Sequence, residues 1–283
     1  MKLPLNVNLK DKVAVITGAG GVICSTLAKA IAAAGAKVAL LDLNKERAQA
    51  HAEEIIKEGG IARGYTANVL DKQSLADCHA EILKDLGKCD ILINGAGGNN
   101  ARANTDMEYY NPGDVNKEEM TTFFGLDREG MEFVFGLNFM GTFLPSQEFA
   151  RDMVERGGCN ILNISSMNAF TPLTKIPAYS AAKAAISNFT QWLAVHFSKV
   201  GVRVNAIAPG FLSTAQNKAL LWNEDGTPTA RTGKILAATP MSRFGETEEI
   251  IGATLFLISE EAAGFITGVV LPIDGGFSAY RGV

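Results

Sequence analysis

Short apolar runs alternate with helical periods through the first third of the chain, and that alternation limits the fold more than any other feature. Residues 13–17 (VAVIT) are apolar and β-branched, too short for a helix, and stop at the glycine-rich turn Gly18-Ala-Gly-Gly21. Such bounded runs read as buried strands. An alanine-rich helical period follows to Ala34, then a strand over 37–42, a charged helix over 45–58, a strand over 61–66, a helix over 71–86 and a strand over 90–94. Neighbouring parallel strands need a crossover between them, and a helix is the usual one. The expected fold class is α/β, a doubly wound parallel sheet. No Pro/Ser-rich linker divides the chain, so a single domain over residues 1–283 is expected.

After Gly95-Ala-Gly-Gly98 the rhythm slips. Residues 99–130 are polar and hold Pro112 and Gly113, with a short helix expected over 118–126. A helix over 129–155, a strand ending at Ile164, a helix from about Tyr179, a strand over 201–210, a helix over 246–259 and a strand over 269–273 resume the alternation. Residues 214–240 form a second irregular stretch. We therefore expect one sheet with two inserted loops, 99–130 and 214–240, on the substrate side.

Charge and cysteine usage exclude several functions. The net charge of −4 with no long basic run argues against nucleic acid as a partner. The N-terminal ten residues lack the apolar run of a signal peptide, and no stretch reaches the roughly 20 apolar residues of a membrane span. Cys24, Cys78, Cys89 and Cys159 have neither CxxC spacing nor clustered histidines, so no metal is expected. A cytoplasmic protein acting on a small molecule is the expectation.

Two segments suggest chemistry. A glycine turn between a first strand and its helix presents backbone N–H groups and the helix dipole to a pyrophosphate, and Gly18, Gly20 and Gly21 fit its first part. The third glycine of G-x-G-x-x-G is replaced by Ile23. Asp42 ends the second strand 24 residues after Gly18, where a carboxylate accepts hydrogen bonds from an adenosine ribose and repels a 2′-phosphate. Downstream, Ser166 follows the apolar Ile161-Leu162 and Ile164, and Tyr179 and Lys183 are four apart, on one helix face. A nearby ammonium favours a phenolate and makes tyrosine a usable acid or base. Taken alone, this pattern favours a capping serine, a packed tyrosine and a solvated lysine over a catalytic set.

From residue 9 to the C-terminus the chain resembles the short-chain dehydrogenase/reductase family, which has a Rossmann fold. The family turn T-G-x-x-x-G-x-G is matched at Thr17-Gly18, with Val22 and Cys24 in place of its later glycines. Its D-V is Asn68-Val69 here, and its N-N-A-G is Asn94-Gly95-Ala96-Gly97. Asn138, Ser166, Tyr179 and Lys183 fall on its catalytic set, Ser166 lying 13 residues before Tyr179. Pro209-Gly210, through Leu212 to Thr214, resembles its P-G-x-x-x-T segment, which holds the nicotinamide carboxamide. The resemblance implies an enzyme with NAD as cofactor and hydride transfer at a carbonyl or alcohol carbon. In it, Ser166 holds the substrate oxygen, Tyr179 moves the proton, Lys183 binds the nicotinamide ribose and Asn138 holds a relay water. It also implies a homotetramer, paired through the helices flanking the active-site strand.

The inserted loops suggest the substrate. Asn99, Asn100, Arg102 and Asn104 make the first rich in amides, and Asn168, Lys175, Gln216 and Asn217 add polar groups. Asn99, Asn168 and Arg102 are the candidate substrate contacts, the guanidinium suiting a carboxylate. Within the family the Gly-Gly-Asn-Asn, Ser-Ser-Met-Asn-Ala-Phe and C-terminal Gly-Gly-Phe-Ser-Ala-Tyr segments resemble the D-mannonate oxidoreductases (fructuronate reductases). That implies sugar acid metabolism, with D-fructuronate and D-mannonate as the substrate pair. Another sugar, polyol or 3-oxoacyl reductase is the alternative enzyme, and a nucleotide-binding regulatory protein the alternative outside catalysis.

Overall fold

The computed structural model describes residues 5–214 and 221–282. Seven strands form one sheet in the order β3-β2-β1-β4-β5-β6-β7, every neighbouring pair parallel. The strands are β1 (Val13–Thr17), β2 (Lys37–Asp42), β3 (Ile61–Thr66), β4 (Ile91–Asn94), β5 (Cys159–Ile164), β6 (Val202–Pro209) and β7 (Val270–Ile273). The order reverses between β1 and β4, which opens a crevice beyond their C-terminal ends, the usual ligand site of such sheets.

Alternate residues of each strand feed opposite layers. Ala14 and Ile16 pack with α1 (Val22–Ala33), α2 (Lys45–Lys57) and Leu257, while Val13 and Val15 pack with α3 (Lys72–Asp85), Phe149 and Leu193. Ile16, Leu40, Leu92 and Ile93 have no exposed surface, each such side chain contributing about 1.5–3 kcal/mol by leaving water. Asn44 and Asp71 cap α2 and α3 by accepting the N–H groups of Arg47 and of Gln73 and Ser74. None of the described helices is long and apolar enough to cross a membrane.

Three expectations need correction. Residues 118–126 form no α-helix; the first insert instead holds three single turns, Ala101–Ala103, Asp114–Asn116 and Phe123–Gly125. Its polar side chains bond its own backbone, as when Asp114 accepts from the Asn111 N–H and Asp106 from the Thr121 N–H. Such local bonds compete with helix formation. The helix expected over 129–155 is broken into α4 (Arg128–Phe135), a π-helical turn (Gly136–Met140) and α5 (Gly141–Phe149). Pro145 inside α5 has no N–H to donate, and Thr142 and Ser146 hydroxyls bond the carbonyls four residues back. The second insert is only partly irregular, because it contains α7 (Ala230–Ala238), capped by Thr229.

Candidate active site

β1 and β4 end in two turns that interlock above the sheet. Gly18 takes a left-handed φ of 67°, and a Cβ there would meet the Ala96 backbone at 2.9 Å. The Thr17 hydroxyl accepts the N–H groups of Gly95 and Ala96, at 3.1 and 3.2 Å. Gly21 caps α1, so the free N–H groups of its first turn face the crevice. Asp42 stands at the end of β2, its carboxylate accepting from Gly20 N–H at 3.0 Å and Asn44 N–H at 2.9 Å. A Cβ at Gly20 would lie 2.9 Å from that carboxylate, so only glycine lets the turn sit against it.

The crevice is a cleft of about 800 Å³. Gly18, Gly20, Gly21, Val22, Ile23, Asp42, Val69, Ala96, Gly97, Tyr179, Gly210, Leu212 and Thr214 line it, so most of the expected cofactor residues meet in one place. Glycine N–H groups at one end, a ribose-facing carboxylate and a polar catalytic cluster at the other fit a dinucleotide. Pro209 is the buried last residue of β6 and sets the Gly210 turn. Lys183 and Pro209 lie behind the lining, and two more expected residues, Asn94 and Asn68, also sit outside it. Asn94 turns its amide into the core, donating to Ser146 Oγ and Asn163 Oδ1 at 2.9 Å each. Asn68 uses its side-chain oxygen on the Leu70 N–H, leaving Ala67 and Val69 to line the wall.

The catalytic candidates come from three elements. Ser166 follows β5 by two residues and accepts the N–H of Asn168 at 3.2 Å, which fixes its hydroxyl just beyond the strand end. Pro172 and Lys175, the latter with φ of 71°, carry the chain to α6 (Pro177–Phe197). Pro177 opens that helix at a position where its missing N–H costs nothing. Tyr179 and Lys183 then share one face, the Lys183 ammonium 5.6 Å from the centre of the Tyr179 ring. Lys183 donates to the Ile164 carbonyl at 2.8 Å and is 4% exposed.

Electrostatics differ from the expected pattern. Burial pushes the Tyr179 phenol up, and its hydrogen bond with Ser166 only partly offsets this. Burial also lowers the Lys183 pKa to about 8, the Cys24 thiol acting in the opposite direction. With the ammonium turned to a carbonyl, desolvation outweighs the expected activation of the phenol. The resting tyrosine is thus a proton donor.

Asn138 lies on the π-helical turn, fully buried. Its amide donates to the carbonyls of Gly98 and Val134 at 2.7 and 2.8 Å and so clamps the turn after β4. A Cβ at Gly97 would lie 2.7 Å from Asn138 Oδ1 and 3.3 Å from Lys183 Nζ, so both groups border the same side of that glycine. An inserted π turn often marks a functional position, but its register was invisible in the helical period.

On the substrate side Asn99 lines the cleft and donates to Asn104 at 3.1 Å, and Asn168 is buried beside Ser166. Arg102 departs from its expected place. Its guanidinium lies 3.2 Å from both Asp127 and Glu129 at the start of α4 and does not line the cleft, so its charge is already matched. Gln216 and Asn217 lie outside the described residues. The two inserts meet instead through Lys234 of α7 and Glu108, 2.6 Å apart. Sequence reasoning also passed over Arg47, Leu43, Leu137 and Phe211, which line the cleft. Arg47 lies one helical step beyond the Asn44 cap, a spacing that could have placed it beside Asp42.

The sequence pattern of the short chain dehydrogenase family matches residues 12–225. An uncharacterised oxidoreductase from Haemophilus influenzae is 60% identical over 283 residues, covering 100% of this chain and 99% of that protein. A crystal structure from the same organism, described as a proposed D-mannonate oxidoreductase with bound NAD, is 60% identical with a TM-score of 0.95 over 100% of both chains. The 5-keto-D-gluconate 5-reductase of Escherichia coli K12 is 32% identical over 269 residues, 95% of this chain and 96% of that one.

Proposed function

The chain belongs to the short-chain dehydrogenase family and is an NAD-dependent oxidoreductase, and on that footing we propose that it interconverts a keto sugar acid and its hydroxy acid. D-fructuronate and D-mannonate are the pair we favour. The observation that carries this reading is the full-length likeness to the NAD-bound Haemophilus influenzae structure. The amide group of Asn99 in the cleft lining supports it, because hydroxyl groups need such partners when they leave water.

Bound NAD supplies a nicotinamide that takes or gives the hydride. Gly18, Gly20, Gly21 and the first turn of α1 hold the pyrophosphate, and Asp42 the adenosine ribose. Ser166 orients the substrate oxygen. Tyr179, a protonated phenol at neutral pH whose pKa desolvation raises further, gives its proton to that oxygen in reduction and recovers it in oxidation. Lys183 holds the nicotinamide ribose and steadies the phenolate, and Asn138 Oδ1 and Lys183 flank the place for a relay water. With Arg102 paired to two acids, Lys175, on the turn that leads into α6, is the next candidate for the substrate carboxylate, although it too lies outside the cleft lining and its charge already acts on Glu108.

A panel of keto sugar acids, neutral ketoses and 3-oxoacyl esters, followed by NADH absorbance, tests this reading. Preference for D-fructuronate over its neutral analogues is expected. Equal efficiency with neutral ketoses would overturn the sugar-acid assignment.

We also propose a homotetramer. Phe149, Ile186 and Leu193 are spent in the core, but Trp192 and Val195 on the outer face of α6 are 57% and 75% exposed. Phe143, Phe189, Trp192 and Phe197 line a groove there of about 500 Å³. Light scattering at micromolar concentration should report four chains, and a monomer would refute this.

A further inference from the structure

We propose that Cys24 is a positioning residue of the cofactor site, and that it works as a unit with Gly95. Cys24 stands in the first turn of α1 and Gly95 in the turn after β4, 71 positions apart, and both depart from the family motifs. Where the first motif has glycine, this chain has cysteine; where the second has asparagine, it has glycine. The structure accounts for both departures at once. A Cβ built on Gly95 would overlap the Cys24 sulfur, its severest contact, while standing 2.9 Å from the Thr17 carbonyl oxygen and 3.7 Å from the Cys24 Cβ. The sulfur therefore fills the space a side chain at position 95 would need. Volume has crossed from one turn to the other.

That exchange reaches the catalytic groups through one short segment. Gly95 and Ala96 hang on the Thr17 hydroxyl, Ala96 rests on Gly18, and Gly97 lies against Asn138 and Lys183. The sulfur is the packing floor of this segment on its α1 side. It is 97% buried by its 3% exposure, and burial pushes its pKa up to about 12, so it acts as an apolar filler rather than a nucleophile. Close packing transmits a displacement at position 95 to Gly97, and so to the seat of Lys183. Nothing in this depends on which substrate the enzyme takes.

A double-mutant cycle tests the pairing with NADH alone. Gly95→Ala in the wild-type background should weaken NADH binding, read by fluorescence titration, at least about tenfold, because methyl and sulfur compete for one space. In the Cys24→Ala background the same change should cost less, since the sulfur is gone and only the 2.9 Å approach to the Thr17 carbonyl oxygen remains to be relieved. Cys24→Ala alone should weaken NADH binding about threefold and shift the pH at which NADH affinity falls away from the wild-type value, since both the water and the thiol beside Lys183 change. An equal cost of Gly95→Ala in both backgrounds would overturn the coupling. Wild-type affinity and pH dependence in Cys24→Ala would overturn the positioning role and leave the sulfur as filler. Should Gly95→Ala fail to fold, a folded, NADH-binding double variant supports the pairing, and a double variant that also fails overturns it.

Discussion

The two sides of the cleft are held by different kinds of contact. On the cofactor side, glycine backbone packs closely against its neighbours: Gly18 on the Ala96 backbone, Gly20 on the Asp42 side chain, Gly97 on the side chains of Asn138 and Lys183. On the substrate side, two inserts are tied by exposed charges, Arg102 to Asp127 and Glu129, and Lys234 to Glu108. Tyr109, Phe123 and Phe124 stand 70–75% exposed on the first insert. A close-packed contact fails with one added methyl, whereas an exposed ion pair contributes about 0–1 kcal/mol. The chemistry thus sits where change is punished, and substrate choice where change is tolerated.

The largest test of that contrast is Tyr179→Phe. Removing the proton donor should reduce turnover about 10²- to 10⁴-fold while NADH affinity stays near wild type. Turnover within tenfold of wild type would show that the buried side is not where the proton is supplied.

Asp42→Ala should come next. The carboxylate seats Gly20 and Asn44 and would face the ribose, and a hydrogen bond to a charged group contributes about 1.5–3 kcal/mol. NADH binding should weaken accordingly, with NADPH gaining relative to NADH in steady-state kinetics. An unchanged cofactor ratio would place the selectivity elsewhere, with Arg47 the first suspect.

The pH response is smaller and separates function from stability. Lys183 is lowered by burial from 10.5 to about 8, so its charge, and with it NADH affinity, should fall as pH rises through about 8. Between about 8 and 10.5 the unfolded chain binds more protons than the folded one. The buried charge therefore costs stability below pH 8, and that cost fades as pH rises toward the unfolded value. The stability difference between wild type and Lys183→Met, read by chemical denaturation, should shift in favour of wild type over this range while wild-type NADH affinity falls. The buried thiols of Cys24 and Cys78 lower total stability above about pH 9 in both proteins. An unchanged difference would mean the lysine is not buried as described.

The smallest effects belong to the inserts. Arg102→Ala should leave KM for the sugar acid within about twofold, its partners being surface carboxylates. Glu108→Gln should raise KM by about twofold to fivefold at most by loosening the two inserts, with kcat and Tm little changed. A tenfold KM effect at Arg102 would return it to the substrate and blur the contrast between the two sides.

What could be read from sequence was local. The strands β1, β2 and β3 were bounded to the residue by apolar runs and flanking glycines, and the four-residue spacing of Tyr179 and Lys183 implied a shared helix face. Periods of two and 3.6 are set by backbone geometry within a segment, so they survive in one dimension. Tertiary structure decided where segments meet. That Asp127 and Glu129 had taken Arg102, that Asn94 faces the core, that a π turn carries Asn138 and that the Cys24 sulfur fills the space above Gly95 all depend on contacts across the chain. Such contacts are fixed by excluded volume and by competition among many possible partners, and neither leaves a period in the sequence.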